Sequence, residues 1–231
     1  MVKVKFDFRI FSLSVLTILI SAINVSFSFA QNKSTRSEQS RAIDSLLTLT
    51  KIDNPDTNKV FHLFQLTREY VLIGDFEKAL NIGTESLVLA RKLSFKNGIS
   101  QANNNIGTIY TGLTDYPKAL EYFNEALKLY EELKNKKGIA GAYNNIGRIY
   151  IEQADYPKAL DYFFKALEVF EEIKDKQRMS IGIFNIGLVY KKQGDYSKAL
   201  DYYFKALKMN EEIGDKNGIS VILGNIGIVY D

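Results

Sequence analysis

Near copies of one thirteen-residue stretch recur at a spacing of forty residues, and this period constrains the fold more than any other feature of the chain. Asp155 to Leu167 reads Asp-Tyr-Pro-Lys-Ala-Leu-Asp-Tyr-Phe-Phe-Lys-Ala-Leu. Asp115 to Leu127 and Asp195 to Leu207 depart from it at a few positions, and a worn version begins at Asp75-Phe76-Glu77-Lys78-Ala79-Leu80. A fixed period of this size marks a solenoid in which each unit stacks mainly on its neighbours. Architectures of this kind work by holding other molecules, and the period does not say which.

Within each period the apolar residues follow two helical stripes. Ile99, Ala102, Ile106, Ile109 and Tyr110 line one helix, and Tyr116, Ala119, Leu120, Phe123, Ala126, Leu127 and Tyr130 line the next. Asp115 stands where it can cap the second helix by accepting a backbone N–H, and Pro117 falls in the first turn, where a missing N–H costs little. Asp155 with Pro157 repeats the device, and Asp195 with Ser197 repeats it without proline. Glycine recurs inside the first helix at 107, 147, 187 and 227. Each costs roughly 1 kcal/mol relative to alanine, so close approach of a neighbouring helix is the expected gain. One unit buries too little apolar surface to offset the cost of ordering it, and the stack is the expected folding unit.

These residues resemble the tetratricopeptide repeat, a helix-turn-helix unit. The family's small first-helix residue falls on Gly107, Gly147, Gly187 and Gly227, and the large residue after it on Tyr110, Tyr150, Tyr190 and Tyr230. Its second-helix alanine falls on Ala79, Ala119, Ala159 and Ala199, its aromatic on Phe123, Phe163 and Tyr203, and its second alanine on Ala126, Ala166 and Ala206. The resemblance implies an all-α fold, an α-solenoid coiled into a right-handed superhelix. The period of 40 departs from the family's usual 34, and the first unit is degenerate, with Thr67 at the glycine position and Gly83 at the aromatic one.

The expected organisation is a signal peptide over 1–30, a polar lead-in and N-terminal capping helix over 31–56, and a degenerate first repeat over 57–96. Full repeats follow over 97–136, 137–176 and 177–216, and the first helix of a fifth over 217–231. The signal reading rests on Lys3, Lys5 and Arg9, an uncharged run from Ile10 to Phe29, and Ser28-Phe29-Ala30 before Gln31. It implies export to the periplasm or cell envelope, and an uncleaved membrane anchor is the alternative. The apolar segment from Ile219 to Val229 lacks the polar outer face of a terminal unit. It is expected either to continue into further repeats and an output domain or to self-associate.

Several function classes are disfavoured. The formal charge of +3 includes +2 from the first ten residues, leaving 3 − 2 = +1 for the remainder, so nothing favours nucleic acid. The chain has no cysteine, which excludes thiolate metal sites and thiol nucleophiles. His62 is its only histidine and has no partner constellation. Glu131-Glu132, Glu171-Glu172 and Glu211-Glu212 recur as copies, as a solvated face does. No glycine loop suits a phosphate. No catalytic residue, cofactor or metal is expected.

The partner is expected to be a protein or peptide. Asn105, Asn145, Asn185 and Asn225 recur beside the glycines on the first helix, the helix that lines the concave face in the family. They are either amides bonded to a neighbouring helix or a ladder along a binding groove. By position the groove also exposes Asn104, Thr108, Asn144, Arg148, Phe184, Leu188, Lys191 and Lys192. The family's carboxylate clamp is not expected, because these cations lack its spacing. Two roles stay open: a protein-binding scaffold, and the input region of a longer signalling protein. Ile43-Asp44-Ser45-Leu46-Leu47 and Asp56-Thr57-Asn58-Lys59-Val60 resemble the start of bacterial histidine kinases, cyclases and regulators led by such arrays.

Overall fold

The computed structural model describes residues 38–230, and among these every regular element is an α-helix. The expected signal peptide, the lead-in up to residue 37 and Asp231 lie outside the described residues. The chain divides into two units, residues 1–48 and 49–231. Described in the first is the start of a helix, α1, over 38–52, which ends just before Pro55. The second unit carries α2 (Thr57–Leu72), α3 (Phe76–Lys92), α4 (Lys96–Gly112), α5 (Tyr116–Glu132) and α6 (Lys136–Glu152). It continues with α7 (Tyr156–Glu172), α8 (Lys176–Lys192), α9 (Tyr196–Ile213) and α10 (Lys216–Tyr230). No described helix is long and apolar enough to cross a membrane.

The helices pack in chain order as antiparallel pairs, α2 with α3, α4 with α5, α6 with α7 and α8 with α9. Each pair rests on the next, and the first helices α2, α4, α6 and α8 also touch in succession. This is an α-solenoid.

Its caps recur with the period. The carboxylates of Asp75, Asp115, Asp155 and Asp195 each accept the backbone N–H three residues on and pair with the lysine there. Hydrogen bonds from Lys118 hold Asp115 below the ordinary carboxylate range, outweighing slight burial. Most first helices are capped as well, α2 by Asp56, α6 by Asn135, α8 by Asp175 and α10 by Asp215, whereas Phe95 leaves α4 without a side-chain cap.

From α2 onward a single residue between consecutive helices takes a left-handed backbone. It is Ser94, Thr114, Lys134, Ala154 or Lys174, or else Gly74, Gly194 or Gly214. At φ +79 and +71, Gly194 and Gly214 adopt this without the clash a Cβ brings.

What the first-helix glycines accommodate is a ring. Phe123, Phe163 and Tyr203 are buried in the second helices and lie across Gly107, Gly147 and Gly187. A Cβ at those glycines would stand 2.7, 2.9 and 2.8 Å from the ring. In the degenerate repeat the sizes are exchanged: Thr67 sits on α2, and a Cβ at Gly83 on α3 would be 3.3 Å from its methyl. Nothing crowds Gly227.

Tyr203 is the imperfect member of the ring series. It is fully buried, and among the described residues its hydroxyl has no hydrogen-bond partner. Burial pushes its pKa up to about 12. Tyr203→Phe, which restores the residue found at 123 and 163, should therefore raise stability by about 1 kcal/mol by removing an uncompensated buried hydroxyl. The check is the urea midpoint, and a lower midpoint than wild type would mean the hydroxyl is satisfied.

The recurring glutamates do lie on an exposed edge, yet they are paired. Glu132 meets Lys96 at 2.9 Å, Glu212 meets Lys176 at 3.3 Å, and Glu172 meets Lys136. Each bond ties the end of a second helix to the start of the first helix in the same pair. Exposed ion pairs of this kind contribute little to stability.

Candidate partner-binding groove

The first helices α2, α4, α6 and α8 share a face that encloses a cavity of about 600 Å³. Among the residues expected in a groove, Asn104, Asn105, Thr108, Asn144 and Asn145 line it. Arg148 lies beside it in a second cavity of about 340 Å³, together with Thr108, Asn145 and Glu152. The remaining five are not among the lining residues of either cavity. Phe184 is half-buried, with its ring stacked on Tyr203 at 5.4 Å. Leu188 packs against the core around Phe163 and Ile186. Asn185 is buried, Lys191 half-buried and Lys192 exposed.

The recurring amides form a chain of bonds between repeats. Asn105 donates to the Phe64 carbonyl at 3.2 Å, Asn145 to Asn104 Oδ1 at 3.2 Å, and Asn185 to Asn144 Oδ1 at 2.9 Å. Each reaches back one repeat, so these amides fasten successive first helices. The series then breaks, because the position after Asn104 and Asn144 is Phe184. Asn225 donates to the carbonyl of Val221 in its own helix, and its oxygen accepts from Lys191 at 2.7 Å. Burial, with a smaller push from Lys192, pulls Lys191 below the ordinary lysine range. The outer amides Asn104 and Asn144, which line the cavity, thus give their oxygens to the stack.

The cavity also has walls that sequence reading missed. Phe64 and Arg68 line it one period before Asn104 and Thr108. Gln101, Gly141 and Ile181 line it three residues before Asn104, Asn144 and Phe184, one helical turn along the same face. Lys137 and Arg178 line it too, and no carboxylate is among its described lining residues. Arg178 is paired with Asp175, and the Arg68 guanidinium sits 5.9 Å from the Phe64 ring. Among the described residues neither Arg68 nor Lys137 is ion-paired at contact distance, although the charge of Lys137 reaches the Asp175 carboxylate and, against the upward push of burial, helps to hold its pKa down. Both signals were present in the sequence, in the period and in the helical repeat.

His62 stands away from this cavity, with Nδ1 2.6 Å from Asp53 Oδ2. Among the described residues no three acidic or histidine side chains converge as a metal site would need.

Residues 98–172 and 181–213 each match a tetratricopeptide-repeat family model. No curated protein matches the sequence. The fold is similar to that of BtubC from P. vanneervenii, with 22% identity, a TM-score of 0.67, and 84% of this chain and 81% of that one covered. It is also similar to the apo form of RapI, with 22% identity, a TM-score of 0.72, and coverage of 87% and 74%. The Rap conjugation gene regulator of plasmid pLS20, in complex with the Phr* peptide, gives 19% identity, a TM-score of 0.70, and coverage of 80% and 51%. At these identities the likeness is one of fold. The chain carries tetratricopeptide repeats over residues 98–172 and 181–213, built as an α-solenoid.

Proposed function

We propose that the array is a non-catalytic scaffold that holds a polypeptide segment of a partner protein along the face of α2, α4, α6 and α8. The observation that carries this reading is the cavity running over four successive first helices, walled by amides, cations and a few apolar groups. A mixed surface drawn from several repeats suits polypeptide better than a compact apolar metabolite. The peptide held by the Rap regulator of pLS20 supports it by analogy of fold. The proposed location is the cell envelope, on the strength of the basic start, the apolar run and Ser28-Phe29-Ala30. A second reading, the input region of a longer bacterial signalling protein, rests on the resemblance of residues 43–47 and 56–60 to such proteins.

Site-specific photo-crosslinking tests the groove. A crosslinking side chain at Thr108, in both cavities, should capture a polypeptide in envelope preparations, and one at the exposed Phe164 on α7 should not. Capture from position 164 alone would move binding to the opposite face and end the groove reading. N-terminal sequencing of the exported chain itself should begin at Gln31, and a cytoplasmic product retaining Met1 would overturn the location.

A further inference from the structure

Gly141 is a helix-interior glycine that packing does not explain. It lies within α6, and glycine is among the poorest helix formers. Gly107, Gly147 and Gly187 each lie under a ring, and Gly138 is crowded by Tyr130, where a Cβ would stand 2.4 Å from the ring. At Gly141 a Cβ would meet nothing within 4 Å. It is half-buried and lines the large cavity. The residues one repeat to either side, Gln101 and Ile181, carry full side chains and line the same cavity, and Ile181 is 48% exposed. The missing side chain therefore opens a notch in the groove floor, with an exposed isoleucine as its neighbour.

Among the described residues, the charged ones that line the cavity are all cations. Arg68, Lys137 and Arg178 line the cavity with no carboxylate among its described lining residues; Arg178 is ion-paired to Asp175, whose single charge Lys137 also feels, so positive charge remains in excess. An occupant that leaves these cations unanswered would have to strip water from them without compensation.

We infer that the groove takes an extended acidic peptide segment, which sets carboxylates against Arg68 and Lys137 and seats one apolar side chain at Gly141 beside Ile181. This rests on the groove reading above and adds the chemistry of the partner. Gly141 is then a specificity residue, kept small for the ligand at the expense of helix stability.

Three fluorescein-labelled peptides of equal length test it by anisotropy: polyglutamate with one central leucine, the same with alanine for leucine, and the leucine peptide with lysine for every glutamate. The leucine–glutamate peptide should bind at least roughly tenfold tighter than the lysine peptide, and less tightly as salt is raised. Gly141→Leu should weaken it about fivefold or more, to the level of the alanine peptide, whose own binding should not change. The variant's melting temperature should be no lower than wild type, because leucine is the better helix former and the space is open. Equal or tighter binding of the lysine peptide overturns the acidic assignment, and unchanged binding by a folded Gly141→Leu overturns the apolar seat. A lysine peptide that crosslinks to position 108 would leave the groove reading standing while this inference falls. Failure of all three peptides to crosslink there counts against both.

Discussion

Replacing Phe163 with alanine should lower stability by about 3–5 kcal/mol, the range for deleting a buried aromatic ring. The ring is fully buried on α7, in one cluster with Ile151, Ala159, Ile186 and Val189. It also fills the space over Gly147 on the partner helix. The cluster draws residues from α6, α7 and α8, so its loss loosens a repeat internally and its seam with the next. Against the 5–15 kcal/mol typical of a folded protein, that is enough to split unfolding into steps. The measurement is urea denaturation followed by circular dichroism. A shift of the midpoint worth less than about 1 kcal/mol would mean the site collapses around the cavity, and the ring would not be the keystone described.

Gly147→Leu should cost about 3 kcal/mol, the upper end of the usual overpacking range. A Cβ alone would already stand 2.9 Å from Phe163 Cε1, closer than real contacts come, and leucine adds three carbons beyond it. The ring has nowhere to retreat, being fully buried. The same experiment contains its own control. If the cost arises from the glycine–ring contact, the double variant Gly147→Leu, Phe163→Ala should be more stable than the two separate losses predict, by about 1–3 kcal/mol. Strict additivity would mean that the glycine is required for something other than the ring.

Much of this fold could be read from the chain. Forty-residue recurrence placed the helix pairs, and Asp115, Asp155 and Asp195 marked where second helices begin, because capping is a local interaction that sequence spacing records. What stayed hidden was contact across the stack. Gly141 and Gly147 stand six residues apart on one helix and look alike in sequence, yet one lies under a ring and the other opens onto the groove. The difference depends on which side of α6 faces α7. Asn144 and Phe184 occupy equivalent positions. The amide reaches a neighbour through its oxygen, whereas the ring turns onto Tyr203, because an apolar ring gains more from the core than from water. Arg68 and Lys137 were legible in principle, by carrying the groove face back one period and along one turn. Their significance depended on the fold, which brings them to one cavity with no carboxylate among its described lining residues.

The left-handed turn residues fall at 74, 94, 114, 134, 154, 174, 194 and 214, an interval of 20 throughout (94 − 74 = 20). Helices of nearly equal length joined by identical turns bring every apolar stripe back to the same angular phase. One residue inserted within a helix would rotate everything after it by about 100° relative to the core, given 3.6 residues per turn. Whole hairpins, by contrast, can be added or removed without disturbing that phase. Viable lengths for such a chain therefore form a ladder of discrete rungs, and its reach along a partner can grow only by duplication of complete units.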